Sequence, residues 1–418
     1  MATPSDPGRP SLRDAYVYLL GRALVARQQA TDLAEPGAAF NQLKHNPVAT
    51  PLEWVNPNLD VTNTEAWIGV DEDTPALLEV PRVDGRYFTV QICDEWGEVI
   101  TNINERNYPE HRHGTFALVA PGSRAAVPDG AVRIELRSPK AKLLARIELG
   151  SDRDGAVELQ HQISLRSSGS PRVPAPVELP PFDNADLIGV ELFEHAEALL
   201  TSAPDVSPVA AQFQAKVRDV VASIEDPEER TRTDEALRST VVPEFQRYAV
   251  QEAGAVGGNW LATTVIGNYG DDIAIRTAAN YVGIWANSRH EVVYFVTTRD
   301  ADGNPLDGSL TYVLDFPAAS HPDRVVDAYW SLSLVDVPRF VAVENRLDRY
   351  TFNSVNPPPA NPDGGMQIFV APDARGTIAE ANWLPAAEGR PFSLTFRAYV
   401  PREIVKQGEW FPPAPRKV

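Results

Sequence analysis

The sequence predicts a mainly β protein of the α+β kind: two tandem β-sandwich or jelly-roll-like lobes joined by a helical segment. Three observations lead there. Short stretches alternate apolar and polar residues in both halves, a Ser-, Pro- and Gly-rich break separates them, and helical periodicity follows the break. At 418 residues the chain exceeds one ordinary core, so two or three domains are expected.

The first periodic segment covers 11–29. Ser11 suits an N-cap, and Leu12, Tyr16, Leu19 or Leu20, and Val25 recur at near-helical spacing. Pro36, Pro47 and Pro51 then forbid long regular structure. Over 65–165 short strands take over. Phe88, Val90 and Ile92 share one face of a strand, and 76–80, 115–119, 132–136 and 143–149 read alike, each bounded by Pro, Gly or Asp. The 167–181 connector is the domain boundary. Beyond it Ser207-Pro208 opens a helix with the stripe Val209, Phe213, Val217, Val220 and Ile224, and Asp226-Pro227 opens another expected to end before Pro243. Gly254, Gly257 and Gly258 read as a flexible turn. Strands resume at 292–298 and 310–316, flanking a hairpin-like turn over 299–305, and continue at 328–335 and 392–400. In the last, Phe392, Leu394, Phe396 and Val400 are expected on one face, Arg397 and Tyr399 on the other. The domains expected are 11–166, 167–260 and 261–418.

Composition narrows function by exclusion. Apolar residues at 43% and charged ones at 23% describe a globular chain. A net charge of −19 repels phosphate backbones and anionic bilayers, so neither nucleic acid nor membrane is expected as a partner. Cys93 is the lone cysteine, which rules out an intrachain disulfide and a thiolate metal cluster. The most hydrophobic early stretch, 16–25, is interrupted by Arg22 and lacks a cleavage pattern, and no run approaches the roughly 20 apolar residues of a membrane span. A soluble cytoplasmic protein is expected.

Signature motifs for nucleotides, nucleophilic serine or zinc hydrolysis are missing from the sequence. His111-Arg112-His113 would need His45 or His161 to complete a metal site, and its polar surroundings read as a loop. Asp300, Asp302 and Asn304 imitate the opening of a calcium loop, but Pro305 intrudes and no Glu closes it; a turn is the better reading. Asp271-Asp272 and Glu228-Glu229 read as solvated pairs. Trp67, Trp96, Trp285, Trp330 and Trp383 fall in or beside strands and turns, suited to the core or to a pocket wall. No metal and no organic cofactor are expected.

Asn56-Pro57-Asn58-Leu59-Asp60, Glu65-Ala66-Trp67 and Gly85-Arg86-Tyr87-Phe88-Thr89-Val90-Gln91, followed by Arg137-Ser138-Pro139 and Ala145-Arg146-Ile147, resemble the domain-of-unknown-function family numbered 1254. Tyr329-Trp330-Ser331-Leu332, Asp336, 345–350, Ala381-Asn382-Trp383-Leu384-Pro385 and Gly389-Arg390-Pro391-Phe392 resemble its companion, family 1214. The resemblance implies tandem β lobes, intervening helices and homo-oligomeric assembly, with no agreed activity. Where the first family's motif continues into Thr-Leu-Tyr, this chain has Val61-Thr62-Asn63 after Asp60.

A ligand cleft is expected where the lobes meet, because domain junctions favour pockets. The expected ligand is a small hydroxylated or carboxylated molecule, handled by acid–base chemistry in a hydrolase or lyase; the competing expectation is a non-catalytic binding or assembly protein. Asp60, Asp94 and Asp336 are the candidate acids and bases. Arg276 and Arg349 are candidate anion-binding forks, each open to a second reading as an ion-pair anchor. Asn345 poses the same choice. Trp67 and Tyr294 are placed to stack on substrate. Asn58 either makes a turn or lines the cleft.

Overall fold

The computed structural model describes residues 12–418 except 49–51, 53–56, 338, 375 and 377, so Ser11, the expected first cap, lies outside the described residues. The chain opens with α1 (Leu12–Ala34) and proceeds through β1 (Lys44–Asn46), β2 (Val61–Gly69), β3 (Ala76–Val80), β4 (Phe88–Cys93), β5 (Val99–Ile103), β6 (Gly114–Val119), β7 (Val132–Glu135) and β8 (Lys140–Glu148). Next come α2 (Arg153–Gln162), β9 (Ser164–Ser167), α3 (Glu191–Glu194), α4 (Ala196–Ser202), α5 (Ala210–Ser223), α6 (Pro227–Ala236) and α7 (Val242–Gln251). The second half holds β10 (Ala255–Gly257), β11 (Trp260–Ala262), α8 (Ile273–Val282), β12 (Val292–Thr297), β13 (Tyr312–Phe316) and β14 (Trp330–Asp336). It ends with β15 (Thr351–Asn353), β16 (Met366–Ala371), β17 (Trp383–Pro385), β18 (Phe392–Tyr399), α9 (Glu403–Lys406) and β19 (Arg416–Lys417).

Both halves are sandwiches. In the first, a sheet ordered β1-β2-β8-β4-β5 faces one ordered β7-β6-β3-β9. Ile68, Leu78, Val90, Phe116 and Leu143 fill the space between, supplied by the period-two alternation of each strand. In the second, β10-β11-β12-β18-β14-β15 faces β17-β16-β13-β19 around Phe295, Leu314, Trp330, Ile368 and Phe396. Among the described residues neither half closes into a barrel.

Four local expectations change. The 299–305 turn closes locally through an antiparallel bridge between Arg299 and Pro305, but the strands beyond it part into two sheets: β12 pairs with β11 and β18, whereas β13 pairs with β16 and β19. Val400 does not join the Phe392 face; with φ of 48° it leaves the strand and packs beside Tyr399. Pro243 does not end its helix. A π turn over Leu237–Val241, in which the Val242 N–H reaches the Leu237 carbonyl, precedes it, and proline sits harmlessly in the first turn of α7. The glycine turn narrows to Gly258 and Asn259, which close a β10–β11 hairpin in which Gly257 pairs with Trp260.

The helices form one layer, and it gathers elements from outside the 167–260 segment. α1 runs through its middle, and Tyr16, Leu20 and Leu24 share a core with Phe193, Val217, Phe245 and Ile273. That position explains why α1 is buried on nearly every side, including Arg22, which pairs with buried Glu95 at 3.1 Å. The stripe expected on α5 holds, with Val217 and Val220 buried. Asp226 caps α6 by accepting from the Glu228 and Glu229 N–H groups, and Asp272 caps α8 by accepting from Ile275.

The first sandwich is tied to this layer by Trp96, at the β4–β5 turn, whose ring lies 5.0 Å from Tyr18. The β5 edge is covered from the second half: Val99 N–H donates to Gly267 O at 2.6 Å, and Asn268 Nδ2 donates to Val99 O at 2.8 Å. Gly267 has φ of 76°, and a Cβ there would lie 2.6 Å from the Ser288 backbone, so only glycine lets the chain approach so closely.

Arg276 anchors the layer. It is fully buried on α8, binds Asp205 through two nitrogens at 2.9 Å each, meets Glu98 at 3.3 Å, and lies over the Trp96 ring. Removing it would strand two buried carboxylates. We expect Arg276→Ala to destabilise the protein by about 3–5 kcal/mol, read from urea unfolding monitored by tryptophan fluorescence; a loss below about 1 kcal/mol would mean that the carboxylates are rehydrated.

Candidate functional site

The two sandwiches meet along a seam: the β4–β5 side of the first reaches the 285–291 segment, and its 57–60 segment reaches the ends of β15 and β18. Val61, Tyr87, Val292, Tyr329 and Tyr399 form a small apolar cluster along this seam. Tyr329 and Tyr399 stack with centroids 4.0 Å apart. Polar groups surround the cluster. Glu291 is buried and accepts from Tyr87 Oη at 3.0 Å, Asn104 Nδ2 at 2.9 Å and Arg106 Nη2 at 2.6 Å.

Where the seam reaches the surface it opens into a cleft of about 490 Å³ between the sandwiches. Asp60, Glu148 and Arg153 line it from the first half, and Tyr329, Arg349 and Asn353 from the second. Asp60 stands in the turn entering β2. Its N–H donates to Asn58 Oδ1 at 3.2 Å, its carbonyl accepts from Leu149, and its Oδ1 accepts from Asn353 Nδ2 at 2.8 Å across the seam. Asn58 in turn donates to Tyr399 Oη at 2.8 Å. Glu148, the last residue of β8, stands opposite Val61, and its Oε2 accepts from the Tyr87 N–H at 3.0 Å.

Both carboxyls hold their protons more tightly than an ordinary carboxyl. Burial pushes Asp60 up, outweighing the Asn353 bond and the attraction of Arg397. Burial also raises Glu148, and the neighbouring Asp60 charge raises it further against the Tyr87 N–H and Arg86. Burial and the Tyr399 phenol raise Tyr329. The Tyr329 hydroxyl is buried and makes no hydrogen bond of good geometry, although it interacts electrostatically with Tyr399.

The structure brings some expected site residues together and disperses others. Asp60 and Arg349 line the cleft; Asn58 and Tyr294 stand behind it, with Tyr294 half-buried opposite Arg397 on the neighbouring strand. Asp94 is elsewhere, closing the β4–β5 turn: Oδ1 accepts from Trp96 and Glu98 N–H groups, and Oδ2 meets Arg137 at 2.6 Å. Asp336 ends β14 and is held by Arg339 at 2.6 Å and by the Val341 N–H. Arg276 is the ion-pair anchor described above. Asn345 shapes its own loop, donating to Val343 and Arg349 carbonyls and accepting from Leu347 and Arg349 N–H groups. Trp67 lies seven residues along β2 from Asp60, about 23 Å at strand rise. There it donates to Asp32 and packs edge-on against Trp285 beside a smaller pocket of about 260 Å³.

Glu148, Arg153, Tyr329 and Asn353 were missed as cleft residues. Tyr329 stands in a quoted motif, but only strand pairing shows that Glu148 faces Asp60's end of β2. As for metals, His45 and His161 come within 4.8 Å of each other, and among the described residues no group of three or more His, Cys, Asp or Glu could hold an ion. Asp300 behaves as a turn residue, its Oδ1 accepting from the Asp302 and Asn304 N–H groups. No helix among the described residues is long and apolar enough to cross a membrane.

Residues 40–167 match the family described as Protein of unknown function (DUF1254), and residues 291–403 match Protein of unknown function (DUF1214). The chain is a tandem DUF1254–DUF1214 protein. The DUF1254 match contains Asp60 and Glu148, and the DUF1214 match contains Tyr329, Arg349 and Asn353, so the cleft lies between the two family regions. The fold is similar to that of a solved Vibrio parahaemolyticus protein, with a TM-score of 0.71 at 20% identity over 97% of this chain and 98% of that one. An uncharacterised Burkholderia cenocepacia protein aligns over 100% of this chain and 90% of its own at 14% identity, with a TM-score of 0.46. No curated protein matches this chain.

The Asp60 shift fixes a sign for the DUF1254–DUF1214 protein. The fold favours the protonated carboxyl, so its stabilising contribution is complete below the ordinary aspartic value and is lost as pH rises through the elevated folded value. Asp60→Asn, which keeps an acceptor for Asn353, should therefore gain stability relative to the natural chain as pH rises from about 4 to 8. Urea midpoints across that range test it; a constant difference would mean that Asp60 ionises normally.

Proposed function

We propose that the inter-sandwich cleft binds a small hydroxylated or carboxylated molecule and that Asp60 and Glu148 act on it as an acid–base pair, in a hydrolase or lyase reaction. The observation supporting this is the meeting of two carboxyls, both shifted toward their protonated forms, on one wall of a cleft. Neighbouring carboxyls resist double ionisation, so the pair holds one proton readily. Glu148, whose anion receives the Tyr87 N–H and the attraction of Arg86, is the base; the more deeply buried Asp60 is the acid. In an elimination, Glu148 takes a proton from carbon while Asp60 protonates the departing hydroxyl, leaving a double bond and water. In hydrolysis, Glu148 takes a proton from attacking water and Asp60 protonates the leaving group.

A second reading has its own support. Asp60 already holds Asn353 across the seam, a duty that requires no chemistry. In that case the protein binds its ligand without turnover. A cytoplasmic setting and homo-oligomeric assembly belong to the same proposal. The first is supported by the lone thiol, Cys93, buried and pushed up to about 12; the second is carried by the family resemblance alone.

A turnover screen of small hydroxy acids, esters and lactones tests the pair. Asp60→Asn and Glu148→Gln should each lower kcat by about 10²–10⁴-fold with little change in KM. Full activity in both variants would sink the acid–base assignment, and affinity without turnover in the natural chain would favour the binding protein.

A further inference from the structure

The cleft has a polarity that the acid–base reading leaves unused. Its carboxyls belong to the seam, whereas Arg153 and Arg349 enter its wall from opposite sandwiches. Arg153 is the first residue of α2; it is exposed and makes no hydrogen bond or ion pair among the described residues. Asp152, the residue before it, is already occupied: it caps Gly155 and pairs with Arg86 at 3.0 Å. Arg349 is held differently. Its Nη1 donates to the Trp383 and Glu380 carbonyls and its guanidinium lies 5.1 Å from the Phe352 ring, while Nε and Nη2 donate to nothing among the described residues. One guanidinium is thus fixed in place with free donors, and the other can swing. The remaining carboxylate in the wall, Asp348, is exposed and accepts from the Tyr350 hydroxyl at 3.3 Å.

Arg153 and the Nε and Nη2 of Arg349 leave guanidinium donors unclaimed in the wall, whereas the carboxyls there already accept: Asp60 from Asn353, Glu148 from the Tyr87 N–H and Asp348 from Tyr350. An anionic group is therefore favoured in the cleft even though the chain as a whole is strongly acidic. Guanidinium pairs suit carboxylates because their forked donors match both oxygens. A cleft of about 490 Å³ suits a small metabolite with room for one anionic end and one polar end.

We infer that the ligand is a small hydroxy acid, whose carboxylate bridges Arg153 of the first sandwich and Arg349 of the second while its hydroxyl points to Asp60 and Glu148. The inference rests on the cleft being the ligand site, and it makes the ligand a cross-link between the two sandwiches.

The test compares gluconate and malate with sorbitol, which has gluconate's carbon chain without its carboxylate, by thermal shift and calorimetry on the full chain. One or both acids should raise Tm by about 2–4 °C at saturation, and sorbitol should not. Arg153→Glu should abolish the shift and Arg153→Lys should retain part of it; the exposed position makes both variants safe for folding. The pairing is overturned if sorbitol matches the acids, if neither acid shifts Tm, or if Arg153→Glu leaves the acid shift intact. If Arg153→Glu abolishes binding while Asp60→Asn and Glu148→Gln change neither affinity nor turnover, the arginine assignment stands and the acid–base reading fails.

Discussion

The two sandwiches meet across a seam that is largely polar, and that contact governs the rest of the molecule. An apolar seam would tolerate sliding. Here Glu291 must meet Tyr87, Asn104 and Arg106 together, and Asp60 must meet Asn353, because a buried polar group without its partner costs far more than an imperfect apolar contact. The pairs set one relative placement of the sandwiches. The cleft is where that paired surface reaches solvent, so the residues that join the halves and those that face a ligand are partly the same.

This double duty explains the state of Asp60. A carboxyl committed only to chemistry could sit in water, and one committed only to structure gathers donors around it, as Asp94 and Asp336 do with their arginines and backbone N–H groups. Asp60 has one short side-chain donor across the seam and little solvent, and burial raises its pKa. Glu148 gains its shift from burial and from that neighbour.

Much of the fold was legible in the sequence, because the inward face of each strand is apolar and alternates cleanly, as with Phe88, Val90 and Ile92 or Phe392, Leu394 and Phe396. The seam was not. Gln91, Asn102, Ser331, Ser333 and Arg397 are all buried, yet as polar residues on alternate positions they read as solvent-facing. The candidate site fared likewise. Asp60 and Arg349 line the cavity between the sandwiches, but Asp94 and Asp336 carry the same kind of carboxyl into turns, where local backbone N–H groups claim it. Trp67 shares a strand with Asp60, and nothing in a strand's sequence says which end meets the partner lobe. Arg276 showed that an arginine in an apolar stretch can be wholly taken up by internal carboxylates.

The helical layer has a consequence for biosynthesis. α1 emerges from the ribosome before the elements that cover it, and much of that cover is contributed by α4, α5 and α8, the last of which follows the entire first sandwich. Its apolar sides and the buried Arg22 must wait, exposed or held by a chaperone, until the middle of the chain has been translated. Vectorial folding can complete the DUF1254 sandwich early, yet the amino-terminal helix is bolted down only once the DUF1214 half is about to appear.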